Sequence, residues 1–206
     1  MAPLSNATRR AARVALERAD ADARSMPGDL LDRGRLRDLG DAARRIVSEV
    51  EQGADHPIDT TVAGLLVGQR LDLSGDAMLE LGLGLFLQDI GMLALPPALV
   101  HKAGPLADDE LELLRRHPLR GLDLLRDEPI GPAARSVVRS HHERWDGAGY
   151  PHALAGEEIP LFARIAAVAA SPSPDALREG AGAAFDPELA ELCCDVLEVP
   201  ELLAAA

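Results

Sequence analysis

Aromatic residues are nearly absent: three Phe, one Tyr and one Trp in 206 residues. A β-sandwich of this length needs more aromatic and β-branched side chains than that. Alanine and leucine dominate the 47% hydrophobic fraction, and both are strong helix formers. No stretch alternates apolar and polar residues over the length of a strand, so the expected fold class is all-α. Cysteine is scarce as well. The two present, Cys193 and Cys194, are adjacent; neighbours in a helix do not bridge, and two cysteines make no disulfide framework. They read as small core residues. Positive charge is short: 21 Lys and Arg against 34 Asp and Glu leave a net charge of −13. Such a surface repels phosphate backbones and anionic lipid, so neither a nucleic acid polymer nor a membrane is expected as a partner. A small anion is still compatible with this charge, because a metal or local cations invert the field within one site. The opening MAPLSNATRRAARVALERAD lacks the apolar centre of a secretory signal. No run of about 18 apolar residues reads as a membrane span. The expected location is cytoplasmic.

What is present is helical punctuation. A charged, Ala-rich amphipathic helix is predicted over 7–24, broken by SMPGD at 25–29. A second helix covers 30–52, with Leu36, Leu39, Ala43, Ile46, Val47 and Val50 at spacings of mostly three and four. Residues 1–50 are taken as an N-terminal helical segment and 51–206 as the main domain. A buried helix over 62–71 turns Gly64 and Gly68 to close neighbours, and Ser74 is a candidate N-cap for the next. AMLELGLGLFLQDI, 77–90, is apolar almost all round, the mark of a central helix. LALPPALVHKAGPL reads as a connection. Further helices are predicted over 107–116, 119–127, 132–142, 161–170 and 188–197, with WDGAGYPHALAGEEIP a loop, SPSP a break and the Ala-rich tail frayed.

Some polar residues do not suit a core. Asp89 falls near the end of the apolar helix, where a carboxylate is costly unless it is paired or bound to metal; the alternative is that it reaches solvent or caps the following loop. His117, His141 and His142 flank helix junctions in a chain with six histidines. Adjacent helical residues point about a hundred degrees apart, so His141 and His142 are not expected to grip one ion from one helical face.

Four segments carry a resemblance. HHERWDGAGYP, 141–151, fits HHE-x-x-DGxGYP without a substitution at the defined positions. GEEIPLFARIAAVA, 156–169, fits GxxIPxxARIxxVAD up to its last residue. RRHPLRGLDLL fits an HPxxG element. LGLFLQDIGMLALP fits LLHDIGKxxIP with both the histidine and the lysine replaced. Over 56–170, and again at Phe185-Asp186-Pro187, the chain resembles the HD-GYP family, all-helical metal-dependent phosphohydrolases that hydrolyse cyclic di-GMP. The resemblance implies an HD-GYP-type helical bundle with a short helical appendage at the N-terminus.

It also implies a ligand set with gaps. His56 occupies the first histidine position. Gln88 stands where the histidine of the HD pair belongs, and Asp89 keeps the aspartate that bridges two metals. His117 and His141 match ligands of the second metal, and His142 the adjacent position. Ala170 stands where the distal aspartate belongs, and Met92 replaces a lysine associated with substrate binding and catalysis. Gln52 sits where some trinuclear members carry a glutamate. The domain is shortened after residue 170: SPSPDALREGAGAAFDP passes almost directly to the FDP element. Arg178 is a weak substitute for the basic stretch lost there, and Asp175 is a candidate replacement for the distal aspartate.

One site is thus left with His56 and Asp89. The other has Asp89, His117 and His141, enough for one divalent transition metal (Fe, Mn or Zn) with open positions. Asp89 is the catalytic candidate if the site is active. The expectation is a catalytically impaired domain acting as a binding or regulatory module in cyclic di-GMP signalling. The alternative is an active phosphohydrolase with a single metal or an altered substrate. The resemblance further implies a cyclic dinucleotide as ligand. It implies a GGDEF-type cyclase or other signalling protein as partner, through a loop surface of Asp146, Gly147, Gly149, Tyr150 and Pro151. The alternative for that loop is that it only packs the fold.

Overall fold

Proline sets many of the helix starts. Pro97, Pro118, Pro132, Pro174 and Pro187 each stand in the first turn of a helix, where the missing N–H has no partner to lose and φ is already helical. The structure is a computed structural model that describes residues 56–73, 75–171 and 173–198. The helices expected over 7–24 and 30–52, the division at residue 50, Gln52, Ser74, the Ala-rich tail and the side chain of His56 lie outside the described residues.

The helices are α1 His56–Arg70, α2 Gly75–Leu87, α3 Pro97–Val100, α4 Asp108–Leu114, α5 His117–Leu124, α6 Pro132–Ser140, α7 Leu161–Ala169, α8 Pro174–Gly180 and α9 Pro187–Leu197, with 3-10 turns at Ile90–Ala94 and Gly156–Glu158. No strand occurs among the described residues; two isolated bridges, Asp146 with Ala155 and Ala181 with Phe185, are the only β-type pairings. The fold is all-α, a helix bundle.

The apolar helix is central, as its composition predicts. Helix α2 packs against α1 and α6 and touches α7. Gly64 and Gly68 let α1 approach: a Cβ at either would lie 2.5 Å from Leu85 Cδ1 or 2.8 Å from Leu81 Cδ2. Two apolar clusters result. The larger joins α1, α2, α7, α8 and α9 around Leu81, Leu85, Phe162, Ile165 and Leu189. The smaller, Leu87, Ile90, Leu125, Ile130, Ala134 and Val138, lies between the end of α2, α5 and α6. Cys193 and Cys194 are buried free thiols; burial, then the neighbouring Cys194, pushes the Cys193 thiol up to about 12.

Four sequence expectations need correction. The connection LALPPALVHKAGPL contains α3, started by Pro97. SPSP is followed by a helix, α8, whose N-cap Ser173 Oγ accepts from the Ala176 N–H at 3.2 Å. The central helix stops at Leu87, so Asp89 belongs to a turn with φ −96° and ψ 8° rather than to an apolar helix. The stretch Gly75–Ala94 does have the length and mean hydropathy, 1.4, of a membrane span. Half of that window is buried inside the bundle, against α1 and α6, as a core helix would be.

The one carboxylate in the middle of α2 has a structural task. Glu80 is buried and takes the Gly131 and Ala134 N–H groups, each at 3.0 Å, on its two oxygens. It caps α6 from outside and fixes the helix that ends at Ser140, just before His141.

Candidate metal centre

Three helix ends meet at one point. Asp89 follows α2, His117 starts α5, and His141 and His142 follow α6. One ligand atom from each of the four residues lies within 4.8 Å of the others. His117 Nε2 is 3.2 Å from His141 Nε2, and Asp89 Oδ1 is 3.3 Å and 3.5 Å from these two nitrogens.

The other ring nitrogens fix the tautomers. His117 Nδ1 is 2.9 Å from the Leu114 carbonyl. His141 Nδ1 is 3.1 Å from the carbonyls of Val137 and Val138. A carbonyl only accepts, so each Nδ1 carries the proton and each Nε2 presents a lone pair. Two lone pairs and a carboxylate then face one another at 3.2–3.5 Å. Only a cation or an added proton makes that arrangement attractive, and backbone carbonyls behind ligating imidazoles are the usual support of a metal site. With an added proton on a ring, desolvation works to raise the Asp89 carboxyl. The hydrogen bonds from His117 and His141, then their charges, outweigh it and hold the carboxyl well below the usual range.

His142 corrects the expectation that adjacent histidines cannot share an ion. That expectation assumed a helix through 142. Helix α6 ends at Ser140, and the chain turns at His141 and His142, which brings both rings to one side with centroids 4.2 Å apart. Desolvation, then the charges of His141 and His117, pushes the His142 imidazole down to about 3. It is neutral at pH 7 and free to ligate. Asp89 differs too: its side chain is 39% exposed, against 1% for His117. It stands at the mouth of the site, so the histidines form the floor.

The second ligand set does not fit a second ion. Gln88 is buried, and its Oε1 has no hydrogen-bond partner. An amide oxygen is a poor ligand for Fe, Mn or Zn. Ala170 caps α7 and offers no donor. Asp175 does not replace it: its side chain is 88% exposed and pairs with Arg178 at 3.3 Å. Arg178 also holds Glu198. Met92 leaves the turn Ile90–Ala94 without a cation.

The turn carrying Asp89 lies tightly on α5. A Cβ on Gly91 would come 1.8 Å from the His117 carbonyl oxygen and 2.6 Å from the Gly121 nitrogen. This contact locks the aspartate to the helix of its partner histidine.

The loop after His142 packs back on the site. Tyr150 stacks on His142, centroids 4.7 Å apart and planes at 19°. Burial, then the charge of Asp89, pushes its hydroxyl up to about 12, while Arg115 pulls the other way. Asp146 takes the Ala148 N–H at 3.0 Å and pairs with Arg144 at 2.6 Å. Gly147 has φ +78°, and a Cβ on Gly149 would lie 2.3 Å from the Arg144 nitrogen. Just past Pro151, the His152 and Leu154 N–H groups donate to Glu143 at 2.8 Å and 3.0 Å.

Glu143 thus holds the loop after the motif, a role the sequence signals only by its place beside two histidines. The second residue missed is Asp186. It pairs with buried Arg164 at 2.7 Å and caps α9 through the Glu188 and Leu189 N–H groups. An Asp directly before Pro187 is a readable N-cap signal. Arg164 also donates to the Ile159 carbonyl and lies against the Trp145 ring, 5.7 Å from its centroid.

Comparison with known proteins agrees with this geometry. A family model described as HD domain matches residues 35–172. The cyclic di-GMP phosphodiesterase response regulator RpfG of Xanthomonas campestris pv. campestris is 43% identical over 111 residues, 52% of this chain and 29% of that protein. The 3'3'-cGAMP-specific phosphodiesterase 2 of Vibrio cholerae is 36% identical over 85 residues, 40% of this chain and 16% of that protein. The matches therefore span less than a third of these curated relatives. The crystal structure of a V. cholerae cyclic GMP-AMP-specific phosphodiesterase, V-cGAP3, superposes with a TM-score of 0.62 at 24% identity, covering 79% of this chain and 50% of that one. It shares the fold.

Proposed function

Because this chain belongs to the HD domain family and is closely related to HD-GYP-type cyclic di-GMP and cGAMP phosphodiesterases, we propose that it works in cyclic-dinucleotide signalling as a phosphohydrolase-type domain built on one divalent ion rather than two. The observation that carries this reading is the convergence of two imidazole lone pairs and a carboxylate at 3.2–3.5 Å, with His142 as a fourth donor. Three histidines and one carboxylate suit Fe, Mn or Zn. A bound divalent ion supplies Lewis acidity toward a phosphoryl oxygen and acidifies water. The chain's own part is to hold and orient the ion. The carbonyls behind His117 and His141 fix the rings, Gly91 fixes the aspartate, and Tyr150 covers one face of His142. A cytoplasmic location goes with this reading. The outer edge of the loop, Asp146 to Pro151, is the surface proposed for a signalling partner such as a GGDEF-type cyclase.

A second reading, a catalytically impaired binding module, draws on Gln88, Met92 and Ala170. One experiment separates the two. The purified chain, loaded with Mn, Fe or Zn, is expected to hold one ion and to hydrolyse cyclic di-GMP slowly, with both properties lost in His117→Ala. One ion with no turnover of cyclic di-GMP or of a generic phosphodiester supports the binding module. No ion at all overturns the phosphohydrolase reading and leaves the binding module, with the histidines structural. The double variant Gln88→His with Ala170→Asp is expected to move the count from one toward two, read by elemental analysis after identical loading. Two ions in the wild type would refute the single-ion site.

A further inference from the structure

A domain that takes a cyclic dinucleotide needs a cation for the phosphate, and the expected places for one are empty of it. The turn Ile90–Ala94 has Met92. Arg178 is engaged by Asp175 and Glu198. The chain as a whole carries −13, so a phosphate approaching its surface is repelled unless a local charge intervenes.

One such charge stands next to the metal centre. Arg115 lies at the corner between α4 and α5, two residues before His117. Its guanidinium carbon is 5.5 Å from the Tyr150 ring centroid, and the same ring stacks on His142 at 4.7 Å. The guanidinium is therefore one aromatic ring away from a metal ligand. Arg115 is exposed, and among the described residues its side chain makes no ion pair and no hydrogen bond; the tyrosine face is its sole specific contact. Its neighbour Arg116 is occupied by Glu112 at 2.9 Å. In a chain with this excess of carboxylates, an arginine held in place by an aromatic ring rather than by an acid keeps its five donors for something else. A guanidinium matches two oxygens of a phosphate with two parallel N–H groups. The cation–π contact orients it without consuming those donors.

We propose that Arg115 is the phosphate-binding residue of this site, taking a phosphodiester of the cyclic dinucleotide beside the metal, in place of the cation that Met92 does not supply. The inference rests on the function proposed above, and its test is built to fail separately. Metal-loaded wild type, Arg115→Ala, Arg115→Lys and Arg116→Ala are titrated calorimetrically with cyclic di-GMP and, independently, with inorganic phosphate, and ion content is measured for each. Arg115→Ala is expected to weaken both ligands by about tenfold or more, the loss of a charge-assisted hydrogen-bonded pair. Arg115→Lys restores part of the loss, because charge returns without the fork. Arg116→Ala, the same charge change one residue away, stays within about twofold, as screened surface charge should. Ion content stays at one throughout. Equal affinity of Arg115→Ala and wild type overturns the proposal and leaves the single-ion reading standing. So does a matching loss in Arg116→Ala, which would make the effect one of net charge, or loss of the ion in Arg115→Ala, which would make the residue structural. A wild type that ignores cyclic di-GMP but binds phosphate through Arg115 supports the phosphate site and overturns the assigned nucleotide.

Discussion

Gly91→Ala is expected to unseat the turn that carries Asp89 and to remove the metal site with it. The added methyl would stand 1.8 Å from the His117 carbonyl oxygen and 2.6 Å from the Gly121 nitrogen. Both are backbone atoms of α5, so no side-chain rotation relieves the clash. The turn must lift off the helix by more than an ångström, and Ile90 leaves the smaller cluster as it goes. Overpacking typically costs about 1–3 kcal/mol, and a clash this close with backbone belongs at the upper end of that range, about 3 kcal/mol. Urea unfolding measures the stability, and elemental analysis of the protein still folded measures the site. Gly82→Ala is the matched control. Its new methyl would have as nearest neighbour Leu65 Cδ2 at 3.5 Å, an ordinary contact. In mid-helix the change should stabilise by roughly 0.5–1 kcal/mol. The same substitution nine residues apart therefore has opposite signs. Equal effects would show that the close approach at Gly91 is not what holds the turn.

Asp186→Ala is expected to destabilise by about 3–5 kcal/mol, the range for breaking one half of a buried ion pair. Arg164 and Asp186 side chains are only 5% and 3% exposed. Removing the carboxylate leaves the guanidinium buried against Trp145 with the Ile159 carbonyl as its remaining acceptor. It also uncaps α9. Asp186→Asn separates the two losses, because the amide oxygen can still cap the helix while the charge is gone. A smaller loss in Asn than in Ala, by about 1 kcal/mol, is the share of the cap. If Asp186→Ala unfolds in urea like the wild type, the pair carries no structural weight.

The sequence made the helix content legible because Ala and Leu left no competitor, and the central place of α2 because it lacks a polar face. The donors at 89, 117, 141 and 142 were legible through their motif. Their geometry was less so, for one recurring reason: each donor sits where a helix stops. The stop after Leu87 made Asp89 a half-exposed residue at a mouth instead of a charge deep in an apolar helix. The stop after Ser140 brought the His142 ring to the same side as that of His141. Apolar periodicity reads helix interiors well and helix ends poorly, so both errors fell there. Helix α8 was hidden by its own start, since SPSP looks like a break until Pro174 is seen in the first turn. Glu80 and Glu143 were invisible as contributors because their partners are backbone N–H groups far along the chain, which residue identity does not announce.

Among the described residues the two apolar clusters are unequal, nineteen buried residues against six, and the candidate ion site lies over the smaller. Its ligands pin the ends of α2, α5 and α6, the helices that this small cluster supports. Stability in such a molecule is not one number. The portion from Asp89 to His142 is expected to open as a unit of its own, at a free energy that rises with free metal as any ligand-linked opening does. The portion built on α7 and α9, in the larger cluster, is expected to open only with the whole. Stripping the ion should therefore speed amide exchange through α5 and α6 while leaving α7 and α9 protected. Among the described residues, protease access to the stretch from Asp89 to His142 would then be set by the metal supply.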